Sequence, residues 1–472
     1  MIQIHDSLTG ELKPLKPIKD NHVRMYVCGM TVYDYCHIGH ARSLVVFDMI
    51  RRYIKHRGFE LTHVRNITDI DDKIIQRANE RGIPFEQLTE QFITAMNEDA
   101  AQLNVQRPEH EPRATEYIPQ MLTMIETLVG RGAAYASGGD VYFKVANYPS
   151  YGQLSGKRLA DLKRGARVEV GEKKHDPLDF VLWKASKPNE PSWDSPWGKG
   201  RPGWHIECSA MSMELLGEYF DLHGGGMDLK FPHHENERAQ SGACCDTPFV
   251  NIWMHNGFVN VDAEKMSKSL DNFFTIREVQ KHLRPEVLRA FVLQSHYRGP
   301  VNFTTEALDQ ADALLERFYT TLRDVPLTAA SLSERHVSAF KAAMDQDFNT
   351  PEALAEMMKL AREINALRAS VLANPAELSS LVYTLKTFGE VLGLLTHDPI
   401  AWLQTPRSKF ETDHAAAQPQ RLAADEIEAH IAARRLARSE KRFKDADAIR
   451  AQLEAAGVVL EDGPNGTVWR YG

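Results

Sequence analysis

The first part of the chain alternates between apolar segments with strand spacing and apolar segments with helix spacing. The run 23–27 (VRMYV) alternates in a way that predicts a strand entering a core, and the apolar positions of 41–52 predict a helix packed against a sheet. A second strand is predicted at 61–67, so that strand, helix and strand form a βαβ unit. The hydrophobic pattern therefore predicts an α/β domain at the start of the chain.

The hydrophobic pattern changes twice further along. After residues 108–112, a helical segment at 117–130 is followed by short strand-like pieces and loops rich in Gly and Pro, which predicts an insertion between two halves of a parallel sheet. From about 300 to 395 the apolar residues recur at intervals of three and four, which predicts a helical bundle. One such stripe consists of Leu308, Ala311, Leu315, Phe318 and Leu322.

The C-terminal part has a polar linker followed by a short mixed segment. Residues 398–420 are polar with scattered Pro, which is typical of a linker. A predicted basic helix then precedes two strand-like pieces that end near Trp469; its cations are Arg434, Arg435, Arg438, Lys441, Arg442 and Lys444. Such a charge run is usually a solvated helix face, but beside an exposed Trp469 it could bind and stack on unpaired RNA bases.

Composition and charge restrict the class of protein. A chain of 472 residues is too long for one core, and its 43% hydrophobic and 25% charged residues are ordinary for a globular protein. The net charge of −8 argues against general attraction to nucleic acid, so RNA binding would need local basic patches. Five scattered cysteines suit a reducing compartment rather than a disulfide framework. With no signal-peptide pattern at the start and no apolar run near the ~18 residues of a membrane span, we expect a cytoplasmic protein.

The segment 30–40 (MTVYDYCHIGH) carries the first candidate chemistry. It places His37, Gly39 and His40 where a predicted strand gives way to a helix, and a helix start offers unpaired N–H groups that suit phosphate. Gly39 allows a ligand to approach the backbone, and two imidazoles spaced i, i+3 can donate hydrogen bonds to phosphoryl oxygens. Taken alone, such histidines are more often ordinary polar residues at a helix start.

A second group of candidate residues follows the predicted insertion. Cys208 precedes a glycine-rich segment, 223–228, which we predict to be a turn, and His233 and Glu237 share one helix face at spacing i, i+4. Zinc accepts Cys sulfur, His nitrogen and carboxylate oxygen, and Cys28 could complete such a set only if the fold brings it close. Spacing alone favours a buried free cysteine and a helix-start histidine over a metal. His234 is either an orienting neighbour or an exposed residue, and Cys36, Cys244 and Cys245 are interpreted as packing residues.

Two further polar segments complete the set of motifs. Lys265 and Lys268 lie in the polar segment KMSKS, where lysines are usually solvated but could also neutralise a leaving pyrophosphate. In the segment 68–73 (TDIDDK), Thr68 or Asp69 is predicted to cap the next helix, and a Mg²⁺ site there lacks sufficient oxygen ligands.

Residues 37–40 read HIGH and residues 265–269 read KMSKS. Together these two motifs resemble the paired signatures of class I aminoacyl-tRNA synthetases. The runs 176–184 and 193–204 narrow the resemblance to the cysteinyl-tRNA synthetase family, and it extends over residues 1–472, most loosely in the bundle. Asp271 stands where that family commonly has glycine after the lysine motif, and Met30 where it often has proline.

The resemblance implies a role for each candidate residue. The catalytic residues would be His37, His40, Lys265 and Lys268; the ATP-binding residues His37, Gly39, His40, Gly225, Asp228 and Lys268; the amino-acid-binding residues Gly29, Thr31, Thr68 and Trp204; and the zinc ligands Cys28, Cys208, His233 and Glu237.

The resemblance also implies the fold class and its domains. These are an α/β fold with a Rossmann-like parallel-sheet catalytic domain split by an insertion, followed by a helical bundle and a small mixed α+β C-terminal domain. The expected boundaries are 1–112 and 201–258 for the two halves of the catalytic domain, 113–200 for the insertion, 259–305 for the connection with the KMSKS motif, 306–397 for the bundle, 398–420 for the linker and 421–472 for an anticodon-binding domain.

The function that the resemblance implies is ATP-dependent attachment of L-cysteine to tRNA(Cys) through a cysteinyl-adenylate. One Zn²⁺ per chain would recognise the substrate thiolate, Mg²⁺ would accompany ATP, and the protein would be a monomer that does not bind membranes. Two alternatives are a cysteine ligase with a small amine acceptor, which would not need the basic C-terminal domain, and a non-catalytic RNA-binding module, which would be expected to have lost histidines or lysines of the ATP motifs.

Overall fold

A computed structural model describes most of the chain. The described residues are 1–158, 173–188, 190–245, 247–261, 264–265, 273–323, 325, 329–370, 374–406, 422–463 and 466–471. They form two compact units, one comprising Met1–Ile276, Ser295–Val301 and Phe340–Ala353, the other Arg277–Gln294, Asn302–Ala339 and Leu354–Gly472.

The part of the first unit that precedes residue 266 contains two four-stranded sheets and six α-helices among its described residues. Its strands are β1 (Gln3–His5), β2 (Leu12–Pro14), β3 (His22–Thr31), β4 (Glu60–Thr68), β5 (Ala134–Ser137), β6 (Asp140–Phe143), β7 (Phe180–Ala185), β8 (Gly200–Pro202), β9 (Phe220–Gly226), β10 (Val250–Asn256), β11 (Val259–Val261) and β12 (Glu264–Lys265). Its helices are α1 (Ile38–His56), α2 (Asp72–Arg81), α3 (Phe85–Gln102), α4 (Ile118–Gly130), α5 (Trp204–Leu216) and α6 (Glu235–Cys244), with 3₁₀ turns at Ala114–Tyr117 and Val145–Asn147 and a π-helical turn at Lys230–His234.

The central sheet has the strand order β10-β9-β3-β4, and each neighbouring pair is parallel. Its inner strands are buried on both faces, as expected for parallel strands covered by helices; Val23, Met25 and Tyr26 of β3 are fully buried. Because all four strands run in one direction, their carboxyl ends meet at one edge, which is where open α/β sheets bind ligands.

The predicted insertion forms a second sheet. The chain between β4 and β9 contains α4 and the antiparallel strands β5, β6, β7 and β8, which pair in that order. The predicted fold class is confirmed, since a parallel α/β sheet interrupted in sequence by a separate sheet is what the structure contains.

Two local predictions were wrong, one of them in part. Of the glycine-rich segment 223–228, residues 223–226 are the end of β9, where Gly224 and Gly225 pair with Met254 and His255 of β10, and only the following residues 227–229 form a turn. A side chain at Gly224 would lie within 2.2 Å of the Phe47 ring, so glycine serves close packing here rather than a turn. The cap of α2 is Asp71, whose carboxylate accepts the Lys73 N–H at 2.8 Å. Asp69 instead accepts hydrogen bonds from the backbone and the hydroxyl of Thr115.

From residue 276 onward the described chain is mostly helical. Its helices are α7 (Ile276–Gln280), α8 (Val287–Leu293), α9 (Thr305–Leu322), α10 (Glu334–Asp345), α11 (Thr350–Arg368), α12 (Pro375–Leu392), α13 (Pro399–Leu403), α14 (Ala424–Ser439) and α15 (Phe443–Ala455), and its strands are β13 (Val301–Phe303), β14 (Val458–Gly463) and β15 (Gly466–Tyr471). The predicted apolar stripe of α9 is confirmed: Leu308, Ala311, Leu315, Phe318 and Leu322 are all buried. Among the described residues, no helix has the length and apolarity that crossing a bilayer requires.

The C-terminal segment folds as two helices with an antiparallel hairpin, β14 and β15. The prediction that Trp469 is exposed was wrong. Alternate residues of β15 face the helices, so Trp469 and Tyr471 join a small core with Ile427 and Leu453. The Trp469 indole N–H donates to Glu428 at 2.7 Å.

A carboxylate beside the central sheet makes folding stability depend on pH. Glu109 contacts Arg51 at 2.6 Å and Lys55 at 2.7 Å and accepts the His63 N–H. Burial opposes its ionisation, but these partners lower the pKa of Glu109 to about 2. Because the folded pKa lies below the unfolded value, the stabilisation is fully present above a pH of about 4.5 and is lost as pH falls towards 2.

We therefore expect Glu109→Gln to lower the free energy of unfolding by about 1–2 kcal/mol at neutral pH, after allowance for solvent screening. The difference from the unmutated chain should shrink as pH falls from about 4.5 towards 2. Urea unfolding at a series of pH values measures it, with the exposed Glu116 changed to Gln as the control. An equal loss of stability at every pH would contradict the assignment.

Candidate active site and metal centre

A cavity of about 380 Å³ opens at the carboxyl edge of the central sheet. Thr31, Gly226 and Asn256, the last residues of β3, β9 and β10, line it together with the first turn of α1. Eight of the predicted site residues line this cavity: Cys28, Gly29, Thr31, His37, Gly39, His40, Trp204 and Asp228.

The two histidines at the start of α1 hold each other in place. The His40 N–H donates to Nδ1 of His37 at 3.3 Å, and the His37 N–H donates to Nδ1 of His40 at 3.2 Å. The two rings stack with centroids 3.6 Å apart. An Nδ1 that accepts a backbone N–H carries no proton, so each neutral ring has its proton on Nε2. The local cap of α1 thus places the proton of each neutral ring on Nε2, and both histidines line the cavity.

Four predicted metal ligands from separate parts of the chain meet beneath this cavity. Cys28 lies on β3, Cys208 on α5, His233 on the π-helical turn and Glu237 on α6. One ligand atom from each lies within 4.8 Å of every other, and all four residues are buried. Oε1 of Glu237 lies 3.3 Å from Cys28 Sγ and 3.1 Å from His233 Nε2.

The donor set suits zinc. Two sulfurs, one imidazole nitrogen and one carboxylate oxygen are all zinc donors, and a coordinating histidine normally has its second nitrogen held by a hydrogen bond. Here Nδ1 of His233 lies 2.9 Å from Nδ1 of His205, which leaves Nε2 directed at the cluster. The Trp204 ring stacks on His233 with centroids 4.2 Å apart, so an aromatic wall of the cavity adjoins a candidate ligand.

Electrostatics favour the charged forms of two of the four ligands, Cys208 and Glu237, whereas burial and the neighbouring Cys208 raise the pKa of the Cys28 thiol well above its usual value. Burial opposes ionisation of the Cys208 thiol, but its hydrogen bond with Cys28 and the nearby His233 lower the pKa of Cys208 to about 6. The pKa of Glu237 lies well below its usual value despite burial, because His223 and His233 stabilise the carboxylate. A thiolate and a carboxylate are the forms that bind a metal ion.

Comparison with known proteins identifies the family. Residues 14–313 match the model of the class I (C) tRNA synthetase catalytic domain, which includes every candidate site residue named above. A cysteine--tRNA ligase of Alkalilimnicola ehrlichii is 55% identical over 100% of both chains, and one of Thioalkalivibrio sulfidiphilus is 57% identical over 100% of both chains. The chain belongs to the cysteinyl-tRNA synthetase family.

Other regions agree with membership of the cysteinyl-tRNA synthetase family. Residues 339–396 match a DALR domain, and residues 422–470 match the cysteinyl-tRNA ligase anticodon binding domain. A methionyl-tRNA synthetase structure from Mycobacterium tuberculosis superposes with a TM-score of 0.54 at 15% identity, covering 79% of this chain and 89% of that chain. At that identity the likeness shows a shared fold alone.

Some residues that the resemblance to cysteinyl-tRNA synthetases predicted do not line the cavity. Thr68 is buried at the end of β4, and its hydroxyl donates to Glu207 at 3.1 Å. The backbone of Gly225 packs against the His234 ring, and the next residue, Gly226, lines the cavity.

The side chains of the two predicted catalytic lysines lie outside the described part of the chain. Only the backbone of Lys265 is described, in β12, and Lys268 lies outside the described residues.

Sequence analysis missed a group of buried histidines around the cluster in this member of the cysteinyl-tRNA synthetase family. His223 lies on β9 with its Nε2 2.8 Å from Oε2 of Glu237, and His255 lies on β10. His234, for which orienting and exposed roles were both open, is fully buried. The signal was local: two adjacent histidines and a glutamate in one segment, with further histidines on flanking apolar strands. Only the parallel pairing of β9 with β10 brings them together.

Proposed function

We propose that this chain activates L-cysteine with ATP and transfers it to tRNA(Cys), with Zn²⁺ selecting the amino acid. The observation that carries the proposal is the position of Cys28, which both lines the cavity and belongs to the buried four-residue cluster. One side chain therefore connects a soft-metal donor set to the space that a small substrate would occupy.

The proposed first step is attack of the cysteine carboxylate on the α-phosphate of ATP, which gives cysteinyl-adenylate and pyrophosphate. Phosphoryl transfer depends mostly on positioning and on stabilising charge. The Nε2–H groups of His37 and His40 would donate to phosphoryl oxygens, Gly39 would let the phosphates approach α1, and Asp228 would bind the nucleotide. Lys265 and Lys268 would neutralise the pyrophosphate, and Mg²⁺ would enter with ATP.

The amino-acid end of the cavity is proposed to lie over the buried cluster. Cys28, Cys208, His233 and Glu237 would hold Zn²⁺, which when bound supplies a soft Lewis acid for a substrate thiolate. Gly29 and Thr31 would face the amino acid, Trp204 would form its wall, and Thr68 would act through its hydrogen bond to Glu207. Pocket shape alone separates side chains that differ by one small group only about 10–200-fold, so the donor set is needed to reject serine.

The C-terminal domain, for which we propose the boundaries 421–472, is the proposed anticodon-binding end. With Trp469 buried, the candidate stacking residue is Phe443, which is 60% exposed at the start of α15. Leu436 of α14 is also exposed. Five cationic residues lie near Phe443 in the sequence, Arg435, Arg438, Lys441, Arg442 and Lys444, of which Arg438 and Arg442 form ion pairs with carboxylates of the same domain. An exposed aromatic ring among cations is what binding of unpaired bases requires.

We expect Phe443→Ala to lower kcat/KM for tRNA charging by about 5- to 150-fold, because stacking one base contributes about 1–3 kcal/mol. Cysteine-dependent ATP–pyrophosphate exchange should be unchanged, since it does not involve tRNA. The matched control is Val468→Ala, which truncates another exposed apolar side chain of the same domain. Equal losses for the two variants would exclude a specific stacking role.

The direct test is charging of bulk tRNA. With ATP, Mg²⁺ and labelled cysteine, the chain should produce acid-precipitable cysteinyl-tRNA and should leave serine almost unused. Transfer of cysteine to small amines with no label on tRNA would instead establish the ligase alternative. We propose that the active form is a cytoplasmic monomer. Sedimentation of the same preparation tests whether it is a monomer.

A further inference from the structure

The buried cluster has more donors than one ion needs. In addition to the four residues described above, a second set of four has one ligand atom from each residue within 4.8 Å of every other, namely Cys28, His223, His234 and Glu237. We call the first the sulfur-rich set, with Cys208 and His233, and the second the histidine-rich set, with His223 and His234. Cys28 and Glu237 belong to both.

The orientation of His234 points to an unfilled donor position. Its Nε2 is buried, lies 4.0 Å from Oε1 of Glu237 and has no hydrogen-bond partner among the described residues. Its Nδ1 lies 2.8 Å from Nε2 of His255, whose own Nδ1 lies 2.8 Å from the Ser7 hydroxyl. This is how histidines that bind metals are normally held, with one nitrogen anchored by a hydrogen-bond chain and the other free to coordinate.

His223 supplies the fourth donor of the histidine-rich set. Its Nε2 lies 2.8 Å from Oε2 of Glu237, whereas Cys28 and His233 approach Oε1. The Glu237 carboxylate therefore places Oε2 near His223, whereas Oε1 lies near Cys28 and His233 and 4.0 Å from Nε2 of His234. The His223 ring is fixed by stacking on Trp253 with centroids 4.5 Å apart, so its nitrogen is directed rather than mobile.

We propose that the metal centre has two overlapping seats, and that Cys28, His223, His234 and Glu237 form a second seat that holds one divalent ion in place of the first. One thiolate, two imidazoles and one carboxylate suit borderline ions such as Zn²⁺ and Co²⁺. Because Cys28 and Glu237 are shared, the two seats are alternatives, and one ion is bound at a time. This inference rests on the zinc centre of the proposed function.

Cobalt binding to the metal-free chain tests the second seat without using activity. The unmutated chain should bind one equivalent of Co²⁺ with charge-transfer absorbance from two thiolates. Cys208→Ala should still bind one equivalent, with about half that absorbance because one thiolate remains, and with affinity lower by about 10- to 100-fold. Adding His234→Asn to Cys208→Ala should abolish binding, whereas His234→Asn alone should leave the two-thiolate spectrum in place.

Controls separate the second seat from general damage. Cys244→Ser in the Cys208→Ala chain removes another buried cysteine outside both sets and should leave Co²⁺ binding unchanged. If Cys208→Ala does not fold, His233→Asn provides a second background, in which bound Co²⁺ should again depend on His234. A histidine that only orients Glu237 would not produce this dependence.

Four results would each overturn a stated claim. Loss of all Co²⁺ binding in folded Cys208→Ala, or binding there that is unaffected by His234→Asn, would overturn the second seat. Two equivalents bound at once to the unmutated chain would overturn the claim that the seats are alternatives. Failure of the unmutated chain to bind any Co²⁺ or Zn²⁺ would instead overturn the zinc centre of the proposed function.

Discussion

Replacing Cys28 by serine should remove bound zinc and reduce cysteine-dependent ATP–pyrophosphate exchange by at least about 100-fold. Cys28 is the donor that lines the cavity, and it belongs to both four-residue sets, so no alternative seat can compensate for its loss. A serine hydroxyl is close in size to the thiol but is a far poorer zinc ligand. The change therefore removes metal binding with little change in packing volume.

Metal analysis and exchange assays on the same preparation measure this effect. Cys244→Ser is the matched control, since Cys244 is a buried cysteine of α6 outside both sets, and it should retain zinc and exchange. Residual exchange in Cys28→Ser should discriminate cysteine from serine only about 10- to 200-fold, the range that pocket shape gives. Cysteine-specific exchange at the unmutated rate in metal-free chain would refute the proposed selection by zinc.

Replacing His40 by asparagine should lower kcat for exchange by about 10²- to 10³-fold with little change in the KM for cysteine. The side-chain oxygen of asparagine lies where Nδ1 of histidine lies, so it can still accept the His37 N–H that caps α1. What asparagine lacks is a donor at the position of Nε2, the group proposed to contact the phosphates.

His40→Gln is the matched partner of His40→Asn. A glutamine amide can place its N–H donor near the position of Nε2, and its oxygen is a normal capping-box acceptor for the N-cap N–H at this third helical position. This variant should therefore keep more of the exchange activity than His40→Asn, with little loss of stability through the cap. Thermal unfolding and kinetics of both variants measure the two effects, and zinc content should be unchanged in both. Identical kinetics for the two would show that Nε2 has no role of its own.

Local sequence patterns were sufficient for the elements around the site. The strand predicted at 23–27 lies within β3, the helix predicted at 41–52 within α1 and the strand predicted at 61–67 within β4. These predictions succeed because apolar periodicity reflects which side of an element is buried, and that property is local.

The predictions that failed depended on non-local packing. Gly224 and Gly225 have the composition of a turn, and only the neighbouring Phe47 and His234 rings show that close packing requires them. Trp469 was wrongly predicted to be exposed, because the small core into which it packs includes residues of α14 and α15 that its own strand pattern does not reveal. His223 was missed as a donor for the same reason, since it faces Glu237 only after the sheet has formed. His234 lies only three residues before Glu237, and its local spacing left an orienting and an exposed role both open.

The topology of the central sheet also determines when a metal can be captured during synthesis. β3 is made early, but its partner β9 follows only after the whole inserted sheet, and Glu237 comes 209 residues after Cys28. A nascent chain that has emerged only through the insertion has one sulfur donor and none of the ligands that would join it. Under the proposed zinc centre, all four ligands could therefore hold the ion only after Glu237 has been synthesised, and the ion would then join β3 to α6.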